Sequence, residues 1–365
     1  MGSETAETSI KQPRKPQSLE TDFNYKHKIV WKNVIIFIIL HLIALHALFL
    51  IVTLKYRLVT VVFSYMYIVF AIIGVTGGSH RLWTHRTYQA NLPLRILLMV
   101  AQTAALQNDI YEWARDHRAH HKFTDTDADP HNSRRGFFFC HMGWLMSKKH
   151  PAVFEKGKSL DLSDIIADPV VKFQMRYYKL MVLFFNTVVP ILIVWYFFGE
   201  GLWPSFEISI FRTLFLLHGT WFVNSAAHLW GTKPYDKNIN PTESPLVISL
   251  GIGEGFHNYH HSFPWDYKAA ELGNYGANWT TAVIDFMAKI GWAKDLKTAS
   301  PKLIKKRALR TGDGTWANEN YYLSYEDQTN QSDNVNIDDQ EHLIWGWGDA
   351  DLTNKHMKLI RRTWI

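Results

Sequence analysis

Three short stretches of this chain are built around histidine: His80–Arg81–Leu82–Trp83–Thr84–His85, His117–Arg118–Ala119–His120–His121 and His257–Asn258–Tyr259–His260–His261. The second and third share the spacing H-x-x-H-H. On a helix, positions i, i+3 and i+4 lie on one face, so each of these stretches offers three imidazoles to one side. His80 and His85 are five apart, about 140° around an ideal α-helix. A helix end or a distortion is therefore expected there. Neutral imidazole suits iron, copper, zinc and nickel, and eight histidines exceed what one ion can hold. Two metal ions are the natural reading.

A structural zinc site needs only four ligands and usually includes cysteine, whereas this chain has a single cysteine, Cys140. That count also excludes thiolate clusters and an internal disulfide framework. Soluble di-iron bundles use four carboxylates with two Glu-x-x-His motifs; only Glu254–Gly255–Phe256–His257 matches near the clusters. A histidine-rich dinuclear site beside a membrane fits O2 activation on an apolar substrate, with iron the first choice of metal and copper the second. Asp116 and Glu254 are expected to orient histidines or substrate rather than bind metal. A ninth candidate is His228, with Asn224 one helical turn before it. His41, His46 and His218 are read as span-packing residues; His131, His141 and His150 as surface; His342 and His356 as solvent-facing. The stretch Gly251–Ile252–Gly253–Glu254–Gly255–Phe256 resembles a dinucleotide fingerprint without its last glycine and is read as a flexible lead into the third cluster. A separate electron carrier is implied.

Positioning falls to apolar helices. The chain is 47% hydrophobic and carries a net charge of +6, and its apolar residues gather in runs near twenty residues, the length that crosses about 30 Å of hydrocarbon. Such runs cover Asn33–Leu54, Leu58–Gly78, Leu180–Phe198 and Ile208–Trp230. The expected organisation is an N-terminal arm (1–28), a transmembrane hairpin (29–78), a first cytosolic cap segment (79–179), a second hairpin (180–230), a second cap segment (231–316) and a polar tail (317–365). The arm is too polar for a cleavable signal peptide. Fifteen Lys and Arg residues in 79–179, and six more in the arm up to Lys32, place arm, loop and tail on the cytosolic side. Lys55 and Arg57, in the first hairpin's connector, run against that assignment and are outnumbered. Leu92–Leu106 is too short to span and is expected to be re-entrant or interfacial. From Asn330 to Gln340 the tail reads as linker. The segment Ile344–Trp345–Gly346–Trp347–Gly348–Asp349 is expected to dock on the cytosolic domain.

From Tyr25 to Gly314 the chain resembles the membrane acyl-CoA desaturases of the stearoyl-CoA type, in their insect branch. The likeness rests on HRLWTH at 80–85, QNDIYEWARDHRAHHKF at 107–123, DPHNSRRGFF at 129–138, Asn224 to His228, and GEGFHNYHH at 253–261; the tryptophan–glycine segment near the C-terminus points to insects. The resemblance implies an all-α integral membrane protein, four transmembrane helices carrying a cytosolic helical cap with a di-iron site. It implies nine ligands, His80, His85, His117, His120, His121, His228, His257, His260 and His261, with Asn224 holding a water on one iron. It implies acyl-CoA contacts at Asn33, Asn108, Arg115, Asp116, Lys148, Lys149 and Trp221; the two lysines suit phosphates as point charges. The implied reaction inserts a cis double bond, delta-9 or delta-11, into a saturated fatty acyl-CoA. It uses O2 and electrons from cytochrome b5 and its NADH-dependent reductase, in the endoplasmic reticulum membrane, with both termini cytosolic and no nucleic acid involved. The alternatives are a hydroxylase with the same histidines and a non-catalytic metal-binding membrane protein. The fifty residues after Thr315 depart from the family pattern.

Overall fold

The computed structural model describes residues 20–250, 253–271, 275–316 and 344–363. The arm up to residue 19, the 330–340 linker and His342 lie outside the described residues, as does the side chain of His356. In chain order the helices that build the site are α1 (Trp31–Val52), α2 (Leu58–Thr84), α3 (Leu92–Ala104), α4 (Ile110–Lys122), α5 (Pro169–Phe197), α6 (Leu202–Leu229), α7 (His257–Ser262) and α8 (Trp279–Lys289). Three of these, α1, α2 and α5, are long and apolar enough to cross a membrane. Their outward faces carry rows of exposed apolar side chains such as Ile35, Ile38, Leu42 and Leu45, the arrangement expected where lipid replaces water. At 28 residues α6 is as long but more polar, because Glu207, Arg212 and His218 lie within it.

Those polar residues all find partners inside the bundle. His46 Nδ1 lies 2.8 Å from Glu207 Oε1. Arg212 donates to the Asn186 carbonyl at 2.6 Å and stacks over Tyr67, 4.3 Å from the ring centre. His41 and His218 meet through their Nε2 atoms at 3.0 Å, so the span-packing reading fits all three histidines. At the far end of the bundle the Arg57 guanidinium donates to the Phe198 carbonyl at 2.6 Å, and its backbone N–H to Glu200 at 2.9 Å. The connector charge that runs against the sidedness rule is thus partly engaged by the second hairpin.

The last eleven residues of α2, Gly74–Thr84, are wound as a π-helix. The His85 N–H reaches back five residues to the His80 carbonyl at 3.1 Å, and Thr84 Oγ1 donates to the Ser79 carbonyl at 2.7 Å. An i→i−5 ladder brings residues five apart onto adjacent turns. This is the distortion the His80–His85 spacing requires. Gly74, where the π segment begins, lies against α3 so closely that an added Cβ would sit 2.6 Å from Ala101 Cβ.

The 13-residue α3, started by Asn91, whose side chain accepts from the Leu94 N–H at 3.1 Å, buries Leu94, Leu98 and Met99 and exposes Leu92 and Ile96. With Ile110 and Ala114 of α4, Ile284 of α8, and Ile165 and Leu296 it forms the core beneath the histidines. Among the described residues, two small antiparallel ribbons join these helices. Gln89–Ala90 (β1) pairs with Ala293–Lys294 (β2), and Leu296–Ala299 (β3) with Ile360–Thr363 (β4), in the register Leu296 to Thr363 and Ala299 to Ile360.

Candidate metal centre

Four elements deliver nine imidazoles to one buried region: the π end of α2, α4, the last turn of α6, and α7. Asp109 caps α4 by accepting from the Glu112 N–H at 2.8 Å, the first half of a capping box. The imidazoles sort into two groups, His80, His85, His117, His121 and His260, and His120, His228, His257 and His261. Within each group the candidate ligand atoms lie within 4.8 Å of one another. The two H-x-x-H-H helices are shared reciprocally. From α4, the i and i+4 residues (His117, His121) join the first group and the i+3 residue (His120) the second; from α7, His257 and His261 join the second group and His260 the first. The expected single face is therefore a ridge between two sites. The groups touch where His121 stacks on His261 at 4.1 Å.

Whether metal fits can be judged from the nitrogens. Nε2 atoms approach one another at 2.9 Å (His80–His260), 3.1 Å (His260–His121), 3.0 Å (His257–His228) and 3.2 Å (His261–His257). Metal–imidazole bonds of about 2.1 Å at right angles set neighbouring nitrogens about 3.0 Å apart. Burial, then the neighbouring imidazoles, hold His117, His121, His257, His260 and His261 well below the ordinary histidine range. They are neutral with lone pairs available, as metal binding requires. His85 Nε2 and His117 Nε2 are buried without a hydrogen-bond partner. The donor set fits two metal ions.

Outer partners hold the rings. His80 Nδ1 lies 2.8 Å from Glu254 Oε2, whose other oxygen accepts from buried Arg81 at 2.6 Å. Against the burial that would raise it, Arg81 and then His80 hold the Glu254 carboxyl down at about 2. His120 Nδ1 lies 2.9 Å from Asp129, and His228 Nδ1 3.4 Å from Asp125. His85 Nδ1 donates to the main-chain carbonyl of Trp345. Fixing Nδ1 in this way turns Nε2 toward the site. Sequence reasoning missed Asp125 and Asp129, and it assigned His131 and His141 to the surface. Both histidines are buried: His131 groups with His120 and Asp129, and His141 bridges Ser225 at 2.9 Å and His218 at 3.0 Å. The run Asp129–Pro130–His131 was the available signal, a carboxylate and an imidazole two residues apart. Gly253 and Gly255 pack against Asn278 and Val247–Ile248, so they serve close backbone packing beside the site.

Beside the histidines opens a cavity of about 520 Å³. His80, His117, His257 and Asn224 line it at one end, and Ile210, Thr213 and Asn186 deep between the helices at the other. Of the residues expected to contact substrate, Asn108, Asp116 and Trp221 line this cavity. Asp116 pairs with Arg115 at 3.0 Å and with Lys149, so these charges gather around one residue of its lining. Lys148 is exposed next to them. Asn33 stands apart from the lining and donates to the Leu145 carbonyl at 2.7 Å.

Apolar helices long enough to span stand beside two groups of convergent imidazoles that could each hold a metal ion. The sequence profile of the fatty acid desaturase family matches residues 56–271. The chain is 50% identical to the acyl-CoA Delta-9 desaturase of Acheta domesticus, over 94% of this chain and 86% of that one. It is 48% identical to the acyl-CoA Delta-12 desaturase of Tribolium castaneum, over 94% and 95%. With stearoyl-CoA desaturase 5 of Homo sapiens it shares 53% identity, over 80% and 87%. The chain belongs to the fatty acid desaturase family, and it is an oxidoreductase.

Proposed function

We propose that this enzyme removes two hydrogens from a saturated fatty acyl-CoA to leave a cis double bond at position 9, reducing one O2 to two waters with two electrons and two protons. The observation that carries the reading is the pair of buried imidazole groups opening onto a long apolar cavity. Iron is the metal proposed, one ion held by His80, His85, His117, His121 and His260, the other by His120, His228, His257 and His261 with a water on Asn224. Two bound irons would supply the O2 activation needed to break an unactivated C–H bond.

The chain's own residues do the rest. Glu254, Asp129 and Asp125 hold imidazole rings in the tautomer that offers Nε2 inward. Arg115, Lys148 and Lys149 suit the phosphates of the CoA head group, while Asn108, Asp116 and Trp221 guide the thioester end into the cavity. Apolar walls exclude water and present one methylene pair to the metals, a contribution of geometry. Electrons come from cytochrome b5 and its NADH-dependent reductase. Four spans, α6 being the fourth, set the histidines in a cap on the cytosolic face of the endoplasmic reticulum.

Position 12 is the second reading, favoured by the Tribolium relative, and position 11 the third. The test is to feed C14–C18 saturated acyl-CoAs to membranes holding the protein, NADH and the cytochrome b5 system, and to locate the double bond by mass spectrometry. A monoene establishes desaturation and its position; a hydroxy-acyl product would overturn the reading in favour of a hydroxylase. His260→Ala is expected to abolish turnover while leaving membrane insertion intact; retained activity would remove His260 from the ligand set.

A further inference from the structure

We infer that the segment Ile344–Thr363 is a positioning strap for the metal centre, acting through His85. The inference rests on the proposed role of His85 as a ligand. The strap grips His85 by its side chain and its main chain. The Trp345 carbonyl accepts from His85 Nδ1, and the Trp347 N–H donates to the His85 carbonyl at 2.9 Å. Gly346 sits between them with φ of +152°, and an added Cβ there would fall 2.6 Å from His85 O and 2.7 Å from its Cα. Only glycine allows the two backbones this close.

The strap is anchored on both sides of this grip. Asp349 accepts from the Trp345 N–H at 2.8 Å and from Lys122, the residue after His121, at 2.9 Å. Arg118 lies over the Trp345 ring, 3.8 Å from its centre. Further on, β4 pairs with β3, and Arg362 binds Asp295 at 2.6 and 2.8 Å. Trp345, Asp349, Leu352 and Ile360 are all buried. His80, His120 and His228 have carboxylates on Nδ1; His85 instead has a neutral carbonyl supplied from 260 residues away. That carbonyl fixes Nδ1–H, which leaves the buried Nε2 as the free donor atom. The strap lies outside residues 56–271, so membership of the family does not assign it this task.

The test compares the full chain with Gly346→Ala, with Asp349→Ala and with a chain ending at residue 343, all purified in detergent. Iron per protein, the rate of iron loss to a chelator, and the absorption spectrum of the cobalt(II)-substituted protein are measured, with turnover as an additional readout. Displacing the partner of one ligand is expected to weaken retention of one of the two ions about 10- to 100-fold and to change the cobalt spectrum. A synthetic 344–363 peptide should restore both in the truncated chain. Where Gly346→Ala does not fold, Asp349→Ala and the truncated chain with its peptide decide. Unchanged iron retention and an unchanged spectrum in the folded variants would overturn the strap. Absence of metal in the full chain, or native metal content in His85→Ala, would instead overturn the ligand reading on which it stands.

Discussion

At the scale of single residues, the centre depends on side chains that touch no substrate. Arg81 is fully buried, and its charge is balanced by Glu254, which also holds His80. Removing one partner of a buried ion pair strands the other, at a cost of about 3–5 kcal/mol. Glu254→Ala is therefore expected to lower the melting temperature in detergent and to release metal; unchanged melting would mean Arg81 finds another partner. Cys140 makes a second residue-scale case. Burial, and then the charge of Asp125, push its thiol up to about 12. The reactive species is the thiolate, and a free thiol ionises near about 8.5. At pH 8 the folded protein should resist iodoacetamide and the unfolded chain should react. Because the folded value is the raised one, the associated stability is complete below about pH 8.5 and is lost as pH climbs toward 12. Nine imidazoles were legible as residue types at telling spacings. The roles of Asp125 and Asp129 under the rings were not, because a carboxylate in a loop carries no periodicity and only the fold brings it there.

At the scale of elements, the helices announced themselves by apolar runs, and their ends did not. The run read as Leu58–Gly78 continues as π-helix to Thr84, and the five-residue histidine spacing was the one sign of it. The H-x-x-H-H spacing gave the helical face correctly but not its division between two sites, which depends on how the rings of α4 and α7 interleave, His121 meeting both His260 and His261. Gly74 shows how tightly the π segment is set. Its replacement by alanine would drive a methyl group into Ala101, an overpacking of about 1–3 kcal/mol. Gly74→Ala should therefore lower thermal stability and, by moving His80 and His85 against α4, metal content as well. Normal values of both would show that α3 can give way. The tail was the least legible element, since its partners lie on β3 and on His85, far away in sequence.

At the scale of the whole molecule, the cavity runs from the histidines into the helix bundle. Asn224 and Ile210 both line it and are fourteen residues apart on α6, about 21 Å along a helix. Depth of that order makes acyl length a matter of where the cavity stops. Ile210→Trp should close the deep end and shift turnover from C18 toward C14 substrates by at least about tenfold, each methylene in an apolar pocket being worth about 1–3 kcal/mol. An unchanged chain-length profile would place the terminal methyl elsewhere. Composition pointed to long apolar helices, but not to this depth, because lining residues are chosen by tertiary packing.

The grip of Trp345 on His85 also bears on how the molecule is made. Trp345 lies 260 positions after His85, and with a ribosome adding about 5–20 residues per second, His85 is made roughly ten to fifty seconds before its partner exists. For the last 84 of those residues, from His261 to Trp345, the growing chain carries all nine histidines without the last clasp. A stall in translation anywhere before residue 345 would leave His85 without the carbonyl that fixes its ring.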